Sequence, residues 1–449
     1  MSDSGFVPEN ILQLARQYQT LGQLQKAADL YQKVLQEDPG SLLALEGLAQ
    51  LAQESGNLHK AQQLWQRACD QNPDHPRFAL QLGDVYADLN QWQEAADSYH
   101  SALTLGLQAE VDVEPLYTRL GQAKQALGLV EEALIHYQEA LRLNPSSVTL
   151  LAAIGYVYSC LGEWAEAVQA YQQALHLDPR LADVHFALGN VLLVQSAFPE
   201  ASRAFQQAIH LDPSHQTAVA HWIIAARESR ESEKVSTWLD YDHLIQLRCP
   251  DPPEGYASLE AFNTQLAEKL LRHPSMAWEP PVYYTCGGLQ SQNLLWDKPL
   301  IHPVLELLRP AVTHYLETLP ADADHPLQWN RPADLSLSGI WAVSLEPQGY
   351  QRLHLQDPAW LSGIYYVQVD KPEDTEKGGG SLEFARPQQN FPVTLPVSTR
   401  QIQPYTGLLV LFPAYFYHHT PPWPPSGRCI SLCFTVAGQL EGAEHCLPL

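Results

Sequence analysis

Gly349-Tyr-Gln-Arg-Leu-His354-Leu-Gln-Asp-Pro-Ala-Trp-Leu-Ser-Gly363-Ile-Tyr-Tyr-Val367 joins a histidine and polar neighbours to an apolar run of strand type. A later stretch, Gly407-Leu-Leu-Val-Leu-Phe-Pro-Ala-Tyr-Phe-Tyr-His418-His419-Thr-Pro-Pro, has the reverse order, apolar run first and histidines after. Arg428 then opens the last apolar run, Arg428-Cys-Ile-Ser-Leu-Cys-Phe-Thr-Val436. Imidazoles are the commonest side-chain metal ligands, and a lone cation at the head of an apolar strand needs an anionic partner. The three stretches are therefore expected to meet in a β-barrel and to build a metal site.

The surroundings agree with a barrel. From Leu335 onward, runs rich in β-branched and aromatic residues are punctuated by Pro and Gly. They predict strands at Leu335–Leu345, Leu361–Val369, Ser381–Phe384, Val393–Ile402, Leu408–Phe412 and Arg428–Val436. Helices are predicted at Ser258–Arg272 and Pro299–Leu319. Many short strands behind helices predict a double-stranded β-helix, or jelly-roll, with supporting helices over residues 241–449. Residues 230–240 begin with a charged segment, Arg230 to Trp238, and are expected to be a linker.

Residues 8–229 follow a different grammar. Asp-Pro or Asn-Pro recurs at Pro39, Pro73, Pro145, Pro179 and Pro213. Measured back from each proline, one helix position is Ala27, Ala61, Ala95, Ala133, Ala167 and Ala201. The aromatic position four residues later is Tyr31, Trp65, Tyr99, Tyr137, Tyr171 and Phe205. A second small position is Ala15, Ala49, Gly83, Gly121, Gly155 and Gly189. Small residues let antiparallel helices approach, the aromatic fills the space beside them, and proline ends the second helix. Gly22, Gly56, Gly128 and Gly162 supply the turn within four of the six pairs. The third unit lacks its proline and carries an insertion over Gly106 to Val113. This pattern resembles the tetratricopeptide repeat, six times over, with Gln216 to Arg230 as a capping helix. The resemblance implies an all-α solenoid whose concave surface takes a protein or peptide partner; an array that only dimerises or stiffens the protein would read the same.

A site that activates dioxygen on iron(II) keeps three positions open, and two histidines with one carboxylate on one face leave that room. Gly349-x-Gln-x-x-His354, Trp360-Leu-Ser-Gly-Ile-Tyr-Tyr-Val, Leu382-Glu-Phe-Ala-Arg-Pro and Phe412-Pro-Ala-Tyr-Phe-Tyr-His418 resemble the 2-oxoglutarate/iron(II) oxygenases found fused behind tetratricopeptide repeats. Thr285-Cys-Gly-Gly-Leu-Gln and His325-Pro extend the resemblance upstream. It implies Fe(II) on His354 and His418, and a carboxylate of 2-oxoglutarate on Arg428. It also implies hydroxylation of a protein or peptide recruited by the repeats. Gln351 and Tyr365 are candidates to line the pocket, or simply pack.

The first ligand pair departs from the family, which carries His-x-His where other members of the superfamily have His-x-Asp. Here it reads His354-Leu-Gln356. Residues i and i+2 of a strand share a face, so Gln356 takes the second-ligand position. Asp357 faces away on a regular strand, but a bend at Pro358 would swing it inward. The open sets are two histidines with Asp357, with Gln356, with water, or no metal. The last makes the protein a non-catalytic adaptor with a degenerate oxygenase fold. His419 alternates to the opposite face and is not expected to be a ligand. Gly378-Gly-Gly380 precedes a strand rather than a helix, so it is a loop and not a phosphate cradle.

Bulk composition narrows the partners. Lys plus Arg is 26, Asp plus Glu is 50, and the net charge is −24, which disfavours nucleic acid and anionic membranes. The seven cysteines form no Cys-x-x-Cys pair, as expected of buried thiols in a reducing compartment. The opening Met-Ser-Asp-Ser-Gly-Phe lacks the pattern of a signal peptide, and no run reaches membrane-helix length, so a soluble, cytoplasmic protein is expected. Composition does not define the oligomeric state.

Overall fold

Alanine and glycine at fixed helix positions dictate the first half. The computed structural model describes residues 8–108, 112–230, 232–281, 283–319, 322, 325–329, 331, 335–370, 380–384, 391–395, 399–438 and 447–448. The chain divides into two units, Met1–Pro179 and Arg180–Leu449. The first holds five antiparallel helix pairs. They are α1 (Pro8–Thr20) with α2 (Leu24–Glu37), α3 (Leu42–Glu54) with α4 (Leu58–Gln71), and α5 (Pro76–Asp88) with α6 (Trp92–Gln108). Then follow α7 (Glu114–Ala126) with α8 (Val130–Leu143), and α9 (Val148–Leu161) with α10 (Trp164–Leu177). The insertion in the third pair lengthens α6 as far as Gln108, and residues 109–111 lie outside the described ones.

The repeat positions are buried as their spacing requires: Ala61, Trp65 and Ala68 are wholly inaccessible, and so are Ala133 and Ala140 beside Tyr137. The rings of Tyr99, Tyr137 and Tyr171 each lie against a glycine of the partner helix. A Cβ on Gly83, Gly121 or Gly155 would fall 2.6–2.7 Å from the rings of Tyr99, Tyr137 and Tyr171. The predicted turn glycines all take positive φ, from 70° at Gly22 to 76° at Gly128 and Gly162. The two pairs without a turn glycine use the same conformation at Asn90 (φ 57°) and Ser196 (φ 62°).

The second unit begins with the sixth pair, α11 (Ala182–Val194) and α12 (Phe198–Leu211), then α13 (Gln216–Glu228). The capping helix expected at Gln216 to Arg230 forms, but it is not the water-facing cap that an isolated solenoid needs. Ala218 to Ala226 are all buried, because α13 is apolar nearly all round and so must be covered on every side. The expected linker is likewise corrected over 232–238, which form α14 (Ser232–Trp238). Trp238 is buried with its ring 4.3 Å from that of Trp222, so the segment is held by packing.

The rest reads α15 (Tyr241–Leu244), β1 (Gln246–Arg248), α16 (Leu259–Leu271), β2 (Ala277–Trp278), β3 (Thr285–Gln290), α17 (Lys298–Glu317) and α18 (Pro326–Trp329). Then come β4 (Leu335–His354), β5 (Leu361–Val369), β6 (Leu382–Phe384), β7 (Arg400–Ile402), β8 (Leu409–Pro413), β9 (His418–Thr420), β10 (Cys429–Gly438) and β11 (Leu447–Pro448). All strand pairs are antiparallel, along the path β1-β8-β5-β10-β4-β9-β6-β7, with β3 also on β4. The long β4 therefore serves two sets of strands: its first half pairs with β10 and its last residues with β9. The strand expected at Val393–Ile402 is confined to Arg400–Ile402, and 396–398 lie outside the described residues. One hydrophobic core runs through this unit from Leu193 to Val436 and includes α13, Trp238, α17 and the strands.

A prediction follows from the two kinds of repeat position. Ser196→Gly relieves a left-handed serine and should stabilise the full chain by up to about 1 kcal/mol. Gly155→Ala pushes a methyl into Tyr171 and should destabilise it by about 1–3 kcal/mol. Denaturant midpoints of the two variants against the parent chain measure both signs.

Candidate metal centre

β4 and β9 meet in a short ladder in which His354 is the cross-strand partner of His418. Both side chains are buried, at 6% and 3% exposure, and their ring centroids are 4.4 Å apart. Each ring is steered by its own strand. His354 Nδ1 donates to Arg352 O (2.7 Å) and His418 Nδ1 donates to Phe416 O (3.0 Å). That contact fixes the tautomer with the proton on Nδ1 and leaves Nε2 as a lone-pair donor. Among the described residues neither Nε2 has a hydrogen-bond partner. Tyr284 stacks on His354 at 4.3 Å, while Phe412 and Phe384 flank His418 at 4.7 and 6.1 Å. Burial among these rings pulls the His354 pKa down to about 4 and that of His418 well below the usual histidine value. Both imidazoles are thus neutral at pH 7, the form that binds metal.

A register shift between Gln351 and His354 brings more polar groups to this face. His418 and Thr420 share a face of β9, and their partners are His354 and Gln351. An extra residue on β4 lets positions three apart face the same way. Gln351 is buried, pairs across β3 with Thr285, and lies 3.5 Å from its hydroxyl. Thr285 in turn donates to Gln290 (2.7 Å). Gln351 is therefore beside the histidines, in a buried polar row that strict alternation does not foresee.

The other sequence candidates go elsewhere. Asp357 does swing at Pro358, but toward α13. Its oxygens accept from Gln216 N (3.1 Å), Thr217 N (3.0 Å) and Thr217 Oγ1 (2.6 Å), and lie 3.2 Å from His215 Nδ1. Burial alone would raise this carboxyl; the bonds from His215 and Thr217 outweigh it and hold the pKa below the usual carboxylate range. Its reading as a ligand is corrected by this engagement with a helix N-terminus. Gln356 lies just past the end of β4, half-buried, with its backbone N–H donating to Ala414 O (3.3 Å). Tyr365 is wholly buried and donates to Asn263 of α16 (2.6 Å), so its hydroxyl is taken up in the helix–sheet contact. His419 meets Glu383 (3.3 Å) on the opposite face, as alternation requires. Arg428 has a partner the sequence did not disclose: Nη2 is 2.8 Å from Glu346, and its backbone N donates to Asp370 (3.0 Å). Its Nε is nevertheless buried with no partner among the described residues.

These facts test the implied metal and cosubstrate. Two neutral imidazoles with unpartnered Nε2 atoms fit two protein positions of an iron(II) site. The orphaned Nε of Arg428 fits a ligand carboxylate. The third protein ligand has no counterpart: no cluster of three or more His, Cys, Asp or Glu able to hold a metal occurs among the described residues. Tyr284, Glu346 and the α13 partners of Asp357 escaped the sequence reading. Only Tyr284, adjoining the Thr285 motif, carried a local signal.

A helical repeat array followed by an antiparallel strand-rich domain with a buried histidine pair defines the class of protein. Residues 339–435 match the family described as "Putative 2OG-Fe(II) oxygenase". Residues 20–79, 79–111, 114–147 and 160–196 match tetratricopeptide-repeat families. The chain is thus a fusion of tetratricopeptide repeats with a C-terminal 2OG-Fe(II) oxygenase family domain. It is 32% identical over 116 residues to the RNA polymerase-associated protein CTR9 of Saccharomyces cerevisiae, 26% of this chain. It spans 11% of the length of that relative. Among solved structures it is similar to YrrB, a TPR protein with an unusual peptide-binding site. The TM-score is 0.38 at 22% identity, over 43% of this chain and 97% of that one. It is also similar to PilF of Pseudomonas aeruginosa, with a TM-score of 0.40 at 18% identity, over 50% of this chain and 97% of that one. Among the described residues no helix is long and apolar enough to cross a membrane.

The buried imidazoles set an acid limit. His221 on α13 is also buried, which lowers its pKa to about 3. Groups depressed in the fold contribute stability above their unfolded pKa and lose it as pH falls. His221, His354 and His418 should each destabilise the metal-free chain as pH falls below the usual histidine value. His215 has the opposite sign: burial lowers it, the Asp357 carboxylate raises it more, and its contribution is lost as pH rises. Three groups outweigh one, so the denaturation midpoint at pH 5 should lie well below that at pH 7.

Proposed function

We propose that the chain is a 2-oxoglutarate- and Fe(II)-dependent oxygenase acting on a protein or peptide recruited by its repeats. The observation that carries this reading is the histidine pair: two buried rings, one tautomer, and lone pairs with no other partner in the described structure. His354 and His418 hold the metal through Nε2, and Arg352 O and Phe416 O keep both rings oriented and basic. Phe412, Phe384 and Tyr284 pack against the two rings. Bound Fe(II) with 2-oxoglutarate supplies hydroxylation of a C–H bond by dioxygen, releasing succinate and carbon dioxide. Arg428, whose Nε has no partner among the described residues, would hold the cosubstrate carboxylate. Its pair with Glu346 is part-exposed and worth about 0–1 kcal/mol, weak enough for a ligand carboxylate to compete. The repeats recruit the substrate, in keeping with the acidic chain and its lack of nucleic-acid signals.

A second reading has specific support. With Asp357 on α13 and Glu346 on Arg428, the same domain reads as a metal-free companion of an adaptor.

Anaerobic Fe(II) titration and succinate release separate the two. The oxygenase reading expects wild-type binding and 2-oxoglutarate turnover, both abolished in His418→Ala and His354→Ala. Gln356→Asp, which puts the superfamily's carboxylate at the motif's second position, should tighten Fe(II) by at least about tenfold. A wild-type chain that binds no Fe(II) rejects the oxygenase, and partner capture indifferent to both alanine variants then favours the adaptor.

A further inference from the structure

Both histidines adjoin residues tied to a single helix. Asp357 stands three residues beyond His354, and its carboxylate accepts the first two N–H groups of α13, from Gln216 and Thr217. Those groups have no partner inside the helix, and a negative charge is favoured at that end. The Thr217 hydroxyl adds a 2.6 Å bond. Tyr417 immediately precedes His418, and its hydroxyl donates to His221 Nε2 (3.0 Å), about a turn further along α13. The other nitrogen of His221 donates to Asn190 of α11 (2.7 Å), so its orientation is doubly fixed. Phe186, Phe205 and Phe391 enclose the ring at 5.0–5.8 Å.

The ladder that joins the ligand strands is weak by comparison. β4 and β9 pair only at Gln351 with Thr420 and at His354 with His418, across a register shift. So short an irregular ladder does not hold its register unaided. Carbonyl bonds orient each imidazole but do not set the distance between the strands. We propose that α13, the helix following the sixth repeat, is the positioning element of the histidine pair. The Asp357 and Tyr417 clamps fix where the chain leaves β4 and where it enters β9. Ligand atoms must be placed to about half an ångström, so slack in either clamp reaches the site. Asn190, His221 and Tyr417 also form a continuous path from a repeat helix to the residue before His418. The role in metal binding rests on the function proposed above; the positioning itself does not.

Long-range NMR of the ¹⁵N-histidine-labelled full chain, with Co(II) titration as the metal probe, tests this. The wild type should show both rings in the Nδ1-protonated form. Asp357→Asn and Tyr417→Phe should shift or split those ring signals and weaken Co(II) binding by about 10–100-fold. Glu228→Gln is the control. That carboxylate, at the other end of α13, accepts from Thr394 and Leu395 and touches neither ligand strand. It should lower stability and leave ring signals and Co(II) affinity unchanged. Where Asp357→Asn does not fold, Thr217→Val removes the 2.6 Å bond and keeps the carboxylate. Ring signals unmoved by both clamp variants, or moved equally by Glu228→Gln, overturn the proposal. A wild type that binds no Co(II) while its rings respond as expected rejects the oxygenase reading and leaves the positioning role standing.

Discussion

A helix without a polar side must be covered all round, and α13 is such a helix. Its burial explains why the second unit contains both the last repeat and the strands. Trp222, Ile223 and Ile224 belong to the same core as Leu337, Tyr365 and Phe412. The strand ends that carry the histidines are anchored to its polar exceptions, His215, Thr217 and His221. A solenoid cap exposed to water would have none of these ties.

The histidine pair is costly to build without a purpose. Two buried bases face one another with their protons turned outward to backbone carbonyls. Burial keeps both uncharged, so neither can form a salt bridge, and no donor among the described residues meets their free nitrogens. A metal ion resolves that arrangement directly. The polar row of Thr285, Gln351 and Thr420 beside it has hydrogen-bonding capacity and no formal charge. Any charge balance for a divalent ion must therefore come from elsewhere.

Much of this was legible in the residues. The repeat period, the six helix pairs and the aromatic–glycine packing are local and periodic, so each position states its own requirement. The convergence of His354 and His418 was also readable, because each stands beside an apolar strand-type run. Less legible were features that depend on distant partners. On a regular strand Gln356 shares the face of His354 and Asp357 points away, and a bend at Pro358 leaves the direction of Asp357 open. Only the position of α13, some 140 residues earlier in the chain, draws Asp357 away. Arg428 announced that it needed an anion, but not that Glu346 would stand opposite it. Asn90 and Ser196 gave no turn signal of glycine type, yet take the same backbone conformation because the helices on either side demand it.

The amino-acid order by itself determined the helical array, the change to strands and the pairing of two imidazoles. The first two arise from periodicity and from short-range rules of backbone and burial; the third was legible through the motifs' resemblance to the oxygenases. Tertiary structure alone decided that Asp357 turns away from those imidazoles, which face Gln351 turns to, and what backs the ligand strands. Those outcomes depend on a one-residue register shift and on contacts between segments far apart in the chain, and neither leaves a trace in local composition.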